Sequence, residues 1–290
     1  MAIIDGHVHV HRSGNPLPDH PLFEDRGWDA TVEDLITVTE AHGVDGAVLV
    51  PVTPAEENLQ YAVESADAHP GRFAVVGVHE HDNPQAVDNY IRWADEHGVQ
   101  GVRCFELGGR DGDAVDSIGA YPLLRALAER GHNLWLYCKA DAYKLSAAVA
   151  DEFPDLNIVY NLLGLPWPGG VGGVVMDEHG RPTLPTSTVP SPHLDDLKAA
   201  GQRDNTYVMY GGHFQYSKEP HPHLDLKEHV GELYSAFGAD HMLWITDWPW
   251  TDQVPGYAPL VSDIDLHLPQ LSEQERAMVM GGTAERILRF

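Results

Sequence analysis

Short apolar runs rich in valine, isoleucine and aromatic residues alternate eight times with amphipathic stretches along this chain of 290 residues. The runs lie near 2–10, 46–52, 73–79, 101–105, 133–138, 157–162, 206–211 and 242–246. The helical patterns cover 31–42, 54–69, 84–97, 120–130, 143–153, 193–200, 225–237 and 272–288. The first opens on Thr31 and carries Glu33 and Asp34 in its first turn, which favours a helix start. Strand then helix, eight times, predicts one α/β domain over residues 1–290, a (β/α)8 TIM barrel with parallel strands. The length suits such a barrel, which takes about 250 residues. A doubly wound open sheet is the alternative. No GxGxxG follows the first strand, which argues against a dinucleotide site.

One connection is long. Residues 163–192 are rich in proline and glycine and follow the sixth strand, so they are expected as a lid over the barrel mouth. Residues 11–28 form a second candidate rim loop.

Charge narrows the partners. Asp and Glu number 44 against 18 Lys and Arg, a formal net charge of −26, and only five of the bases are lysines. Such a surface repels nucleic acid and anionic membrane, and excludes both as partners. An acidic, lysine-poor surface also suits high salt, where screening weakens self-repulsion, so a halophilic source is expected. No apolar run approaches the roughly 18 residues of a membrane span, and the N-terminus has no basic region followed by an apolar stretch. The expectation is a soluble, cytoplasmic protein. Cys104 and Cys138 make neither a disulfide framework nor a zinc ribbon.

In a barrel of this kind, chemistry sits at the carboxyl ends of the strands. Strand one ends in Asp5-Gly6-His7-Val8-His9. Two histidines two apart share a face and can grip one divalent cation. His11 lies two further on. The other strand ends offer Thr53, His79 and His81, Arg103 and Glu106, Tyr137 to Lys139, Asn161, His213, and Asp247 with Trp248.

Asp5-Gly6-His7-Val8-His9 at one end and Trp244-Ile245-Thr246-Asp247-Trp248-Pro249 at the other resemble the amidohydrolase superfamily. Gly98-Val99-Gln100-Gly101-Val102-Arg103 and Gly281-Gly282-Thr283-Ala284 narrow the resemblance to its amidohydrolase-related branch. That branch holds lactonases of the pyrone-dicarboxylate type and decarboxylases of the aminocarboxymuconate-semialdehyde type. The resemblance implies a metal held by His7, His9 and Asp247, with Asp247 also the base that activates water. Zinc is the ion it favours. It also implies oligomers, although no stripe in the sequence marks an interface.

The sequence departs from the branch at two places. Tyr137 stands where a strand-five histidine is usual, and Leu162 where a strand-six histidine is usual. Alternation puts Tyr137 and Lys139 on one face, so Lys139 is expected to polarise a carbonyl or bind a carboxylate. Arg103 suits a bidentate grip on a carboxylate. The alternatives are an ordinary ion pair for Arg103 and a rim lysine in solvent for Lys139. Catalysis is thus assigned to Asp247, Lys139 and Tyr137, and substrate contact to Arg103, His213 and Trp248. Trp167 and Trp250 are further candidates for an apolar wall. His79, His81 and Glu106 rank lower, and His221 and His223 read as solvated loop residues. The expected activity is hydrolysis of a small carboxylated molecule, preferably a lactone-type ester. The rivals are non-oxidative decarboxylation on the same scaffold and a barrel that only binds its ligand.

Overall fold

The apolar runs form strands where the sequence puts them, each a little shorter than its run. A computed structural model describes residues 1–16, 29–137, 139, 142–167, 174–185 and 187–290. Strands β1 (Ile4–Val8), β2 (Gly46–Leu49) and β3 (Phe73–Val75) pair in parallel, in that order. After Val76 the third strand resumes as β4 (Gly77–Val78) and turns to pair with β5 (Gly101–Cys104). From there β6 (Asn133–Leu136) and β7 (Asn157–Tyr160) continue the parallel order. A hairpin of β8 (Val175–Met176) and β9 (Pro182–Thr183) stands apart. β10 (Thr206–Tyr210) and β11 (Met242–Trp244) complete the set.

The result is a (β/α)8 barrel. β1 and β11 share no ladder; two backbone hydrogen bonds from the end of β1 to the segment just past β11 join them, His9 N to Trp248 O at 2.8 Å and Asp247 N to His7 O at 3.2 Å. That seam sets His7, His9 and Asp247 side by side. Nearly every strand residue is buried, the mark of parallel strands covered on both faces.

The helices are α1 (Val32–Ala41), α2 (Glu56–Ala68), α3 (Ala86–His97), α4 (Tyr121–Ala128), α5 (Tyr143–Glu152), α6 (Leu194–Ala200), α7 (Lys227–Phe237), α8 (Tyr257–His267), α9 (Glu273–Ala277) and α10 (Thr283–Ile287). Thr31 caps α1 as expected, its Oγ1 accepting from Asp34 N at 3.1 Å. Two differences stand out. α8 falls outside the eight predicted helical patterns, and Pro259 in its first turn is tolerated there because a backbone N–H at that position would have no helical partner. The expected helix over 272–288 is broken by a π-type turn, Met278–Gly282. There Gly281 lies so close to β1 that a side chain would sit 2.1 Å from Ala2 O.

Candidate active site

His7 and His9 project from the end of β1 onto one face, their rings edge to face with centroids 4.8 Å apart. Asp247 follows β11 with φ +60°, a left-handed conformation that costs a non-glycine residue energy. The seam bond from Asp247 N and a turn from Trp250 N to Asp247 O (3.1 Å) hold it there. Below it, Asp5 is fully buried and accepts from Thr246 N (2.9 Å), Thr246 Oγ1 (2.5 Å) and Tyr257 Oη (2.7 Å). Burial pushes the Asp5 carboxyl up to about 6 against these hydrogen bonds. Asp5 therefore fixes the residue just before Asp247.

The carboxylate of Asp247 is divided among three neighbours. Its Oδ2 accepts from Gln215 Nε2 at 2.9 Å. Its Oδ1 faces His9 Nε2 at 3.2 Å and His7 Nε2 at 3.9 Å. His9 Nδ1 lies 2.7 Å from the carbonyl of Val50, which can only accept, so Nδ1 carries a hydrogen. In the neutral ring, Nε2 then turns a lone pair toward a carboxylate oxygen. The pair needs a proton or a cation between them.

The donor atoms of His7, His9 and Asp247 all lie within 4.8 Å of one another, and all three residues are buried. Two imidazoles and a carboxylate suit a divalent ion with positions left for water or substrate. Burial, and then the charges of His9 and Arg103, hold His7 far below the usual imidazole value. His7 also meets Trp135 of β6, whose Nε1 donates to its Nδ1 at 3.2 Å, and Tyr137 just past that strand, whose Oη lies 3.1 Å from its Nε2.

Above these groups opens a cavity of about 280 Å³. Its walls are His9, Asp247, Gln215, Arg103 and Tyr137, with Phe105, Leu162, Trp167, Val174, Pro182 and Trp250 supplying apolar surface. Trp167, Val174 and Pro182 belong to the long connection expected as a lid; residues 168–173 and 186 lie outside the described residues. Arg103 is buried, and its Nη2 donates to the carbonyls of Pro51 (3.0 Å) and Val52 (2.8 Å). The guanidinium sits over the rings of Phe105 and Tyr137, while its Nε has no partner among the described residues. Gln215 Oε1 is likewise buried without one. A larger cleft of about 440 Å³ opens between α2 and α3, but it is lined by none of His7, His9 and Asp247.

The structure thus brings together His7, His9, Asp247, Tyr137 and Arg103, and leaves three expected residues elsewhere. Lys139 does not share the face of Tyr137, because β6 ends at Leu136 and alternation ends with it. Its side chain is 52% exposed and pairs with Glu106 at 3.7 Å. His213 is buried on the far side of the Gly211-Gly212 turn, stacked on His267 with centroids 4.7 Å apart. Trp248 points away from the cavity, its Nε1 donating to Asp252 at 3.3 Å; Trp250 takes the wall position instead. His223 is buried rather than solvated, and His221 pairs with Asp263 at 2.7 Å. Glu106 and His81 are exposed and face each other, and His79 lines the outer cleft. His11 joins Ala30 by a backbone bridge. The Cys104 thiol is buried and pushed up to about 11, so it is inert; Cys138 lies outside the described residues.

Gln215, Phe105 and Trp135 were not legible beforehand. Gln215 is aimed by the turn at Gly211, where a side chain would sit 2.2 Å from Ile245 O and only glycine fits. Asn161, one residue past the end of β7, is fully buried with neither amide atom partnered among the described residues.

A family model described as Amidohydrolase matches residues 4–290, and the chain belongs to that family. No curated protein matches the sequence. Among solved structures, a probable 2-pyrone-4,6-dicarboxylic acid hydrolase from Acinetobacter baumannii with bound citric acid is 15% identical, with TM-score 0.72 and 99% of each chain covered. An amidohydrolase from Burkholderia multivorans with bound zinc is 17% identical, with TM-score 0.71 and 99% of each chain covered. A dihydroxybenzoic acid decarboxylase from Polaromonas sp. JS666 with bound manganese is 18% identical, with TM-score 0.62, 99% of this chain and 96% of that one covered. These likenesses establish the fold, and the relatives span both hydrolase and decarboxylase descriptions and two divalent metals.

Proposed function

We propose that the protein hydrolyses a lactone-type ester in a small molecule carrying a carboxylate. One observation carries this reading. The Asp247 carboxylate, oriented by Gln215, borders an aromatic cavity in which Arg103 is the only lysine or arginine among the described lining residues. Arg103 binds the substrate carboxylate through Nε and its remaining N–H groups. The flat body of the substrate packs on Phe105, Tyr137, Trp167 and Trp250. Asp247 then takes a proton from water as the water oxygen bonds to the ester carbonyl carbon. The carbon–ring-oxygen bond breaks, and the leaving oxygen recovers that proton. Tyr137 hydrogen-bonds the carbonyl oxygen as charge builds there.

A divalent ion bound by His7, His9 and Asp247 would supply a Lewis acid at this carbonyl. Zinc suits two imidazoles and a carboxylate best. A high-salt, cytoplasmic setting accords with the charge of −26.

Decarboxylation is the second reading, because a carboxylate on Arg103 would lie beside the same acid and base. The test is a panel of carboxylated lactones and aromatic carboxylic acids in molar-range salt, followed by acid release and carbon dioxide evolution. Ring opening without carbon dioxide, lost in Asp247→Asn, is expected. Carbon dioxide release favours the lyase. Binding of carboxylates without any turnover favours a barrel that only binds.

A further inference from the structure

His7 Nδ1 faces the indole N–H of Trp135 at 3.2 Å in a fully buried setting. An indole N–H donates and cannot accept. Nδ1 must therefore present a lone pair, and the neutral ring carries its hydrogen on Nε2. A doubly protonated ring would set two hydrogens against each other. Ligation of a metal through Nε2 would do the same, because it moves the ring hydrogen to Nδ1.

The contrast with His9 is direct. A backbone carbonyl holds the hydrogen of His9 on Nδ1 and leaves Nε2 bare, the state a metal ligand needs. His7 is held in the opposite state. We propose that Trp135 locks His7 with its hydrogen on Nε2, so that His7 donates to Tyr137 and enters a metal site only by surrendering its bond to Trp135. Tyr137 then accepts from His7 Nε2, and the Arg103 guanidinium lies over its ring. Among the described residues its own hydrogen has only the weakly accepting Met209 Sδ at 4.0 Å, and it can turn to a carbonyl oxygen in the cavity. Trp135 is thus a positioning residue that lowers metal affinity at His7 and keeps Tyr137 a donor. The use of the Tyr137 hydrogen rests on the hydrolase reading; the tautomer and the metal affinity do not.

Two measurements test this, both without substrate, so a failed hydrolysis assay leaves them intact. The first is nitrogen NMR of ¹⁵N-histidine-labelled, chelator-treated full-length protein, with His7→Gln used to assign the His7 signals. The expected pattern is a bare Nδ1 and a protonated Nε2 at His7; a protonated Nδ1 overturns the proposal. The second is zinc affinity by chelator competition. Partners behind a metal-binding histidine shift affinity by about 10- to 100-fold. Trp135→Phe is expected to bind zinc at least about tenfold more tightly than the parent, whereas equal or weaker binding overturns the proposal. If that variant does not fold, the spectrum of the unaltered protein decides alone.

Discussion

Replacing Arg103 with Met removes the one lysine or arginine among the described lining residues of the cavity while keeping most of the volume of its stem. The magnitude follows from what the guanidinium does. It spends Nη2 on the carbonyls of Pro51 and Val52, and its buried Nε has no partner among the described residues. A hydrogen bond to a charged group contributes about 1.5–3 kcal/mol, so losing the carboxylate grip should cost about 2 kcal/mol, or about thirtyfold in kcat/KM. The loss should fall on substrates that carry the carboxylate. A lactone whose carboxylate is masked as a methyl ester never used that bond and should change by less than about threefold. Stability should move little, because two carbonyls lose a donor but a buried charge is also removed. The assay compares kcat/KM for the acid and its methyl ester in the parent and in Arg103→Met. Equal losses on both substrates would refute a carboxylate role for Arg103.

Three further outcomes follow from the geometry. Lys139→Ala should leave turnover within about twofold, since an exposed ion pair with Glu106 contributes about 0–1 kcal/mol and lies outside the cavity; a tenfold loss would return Lys139 to the site. Gln215→Leu strips Asp247 Oδ2 of its donor and should lower kcat about tenfold with little change in KM, measured by steady-state kinetics; an effect on KM alone would contradict its orienting role. His132, bonded to Tyr90 Oη at 2.7 Å, is held down to about 4 by burial, and then by the charges of Arg289 and Arg130. Its folded value lies below the ordinary 6.5, so the unfolded chain takes the proton first. The stability His132 contributes is therefore complete above pH 6.5 and lost as pH falls to about 4. Allowing for solvent screening, the loss is about 2 kcal/mol, and His132→Gln should flatten the denaturation profile by that amount over this range. Parallel profiles would contradict this.

The fold was legible because its signals repeat. Eight apolar runs, each followed by a helical period, leave little choice of architecture, and strand periodicity alone put His7 and His9 on one face. What escaped depended on where a strand stops. Alternation carried Tyr137 inward but did not extend to Lys139, since β6 ends at Leu136. The Gly211-Gly212 turn swings His213 outward and Gln215 inward, a choice no spacing reveals. Trp135 read only as a strand residue; its N–H matters through the ring it meets across the barrel. A carboxamide such as Gln215 carries no charge or metal-ligand spacing to draw notice, though it holds the candidate base.

The most direct test of the central claim is turnover in ¹⁸O-labelled water with a carboxylated lactone that the protein consumes. The account predicts one labelled oxygen in the new carboxylate, no carbon dioxide, and loss of both product and label in Asp247→Asn. Carbon dioxide with an unlabelled product, or unchanged labelling in Asp247→Asn, would contradict it.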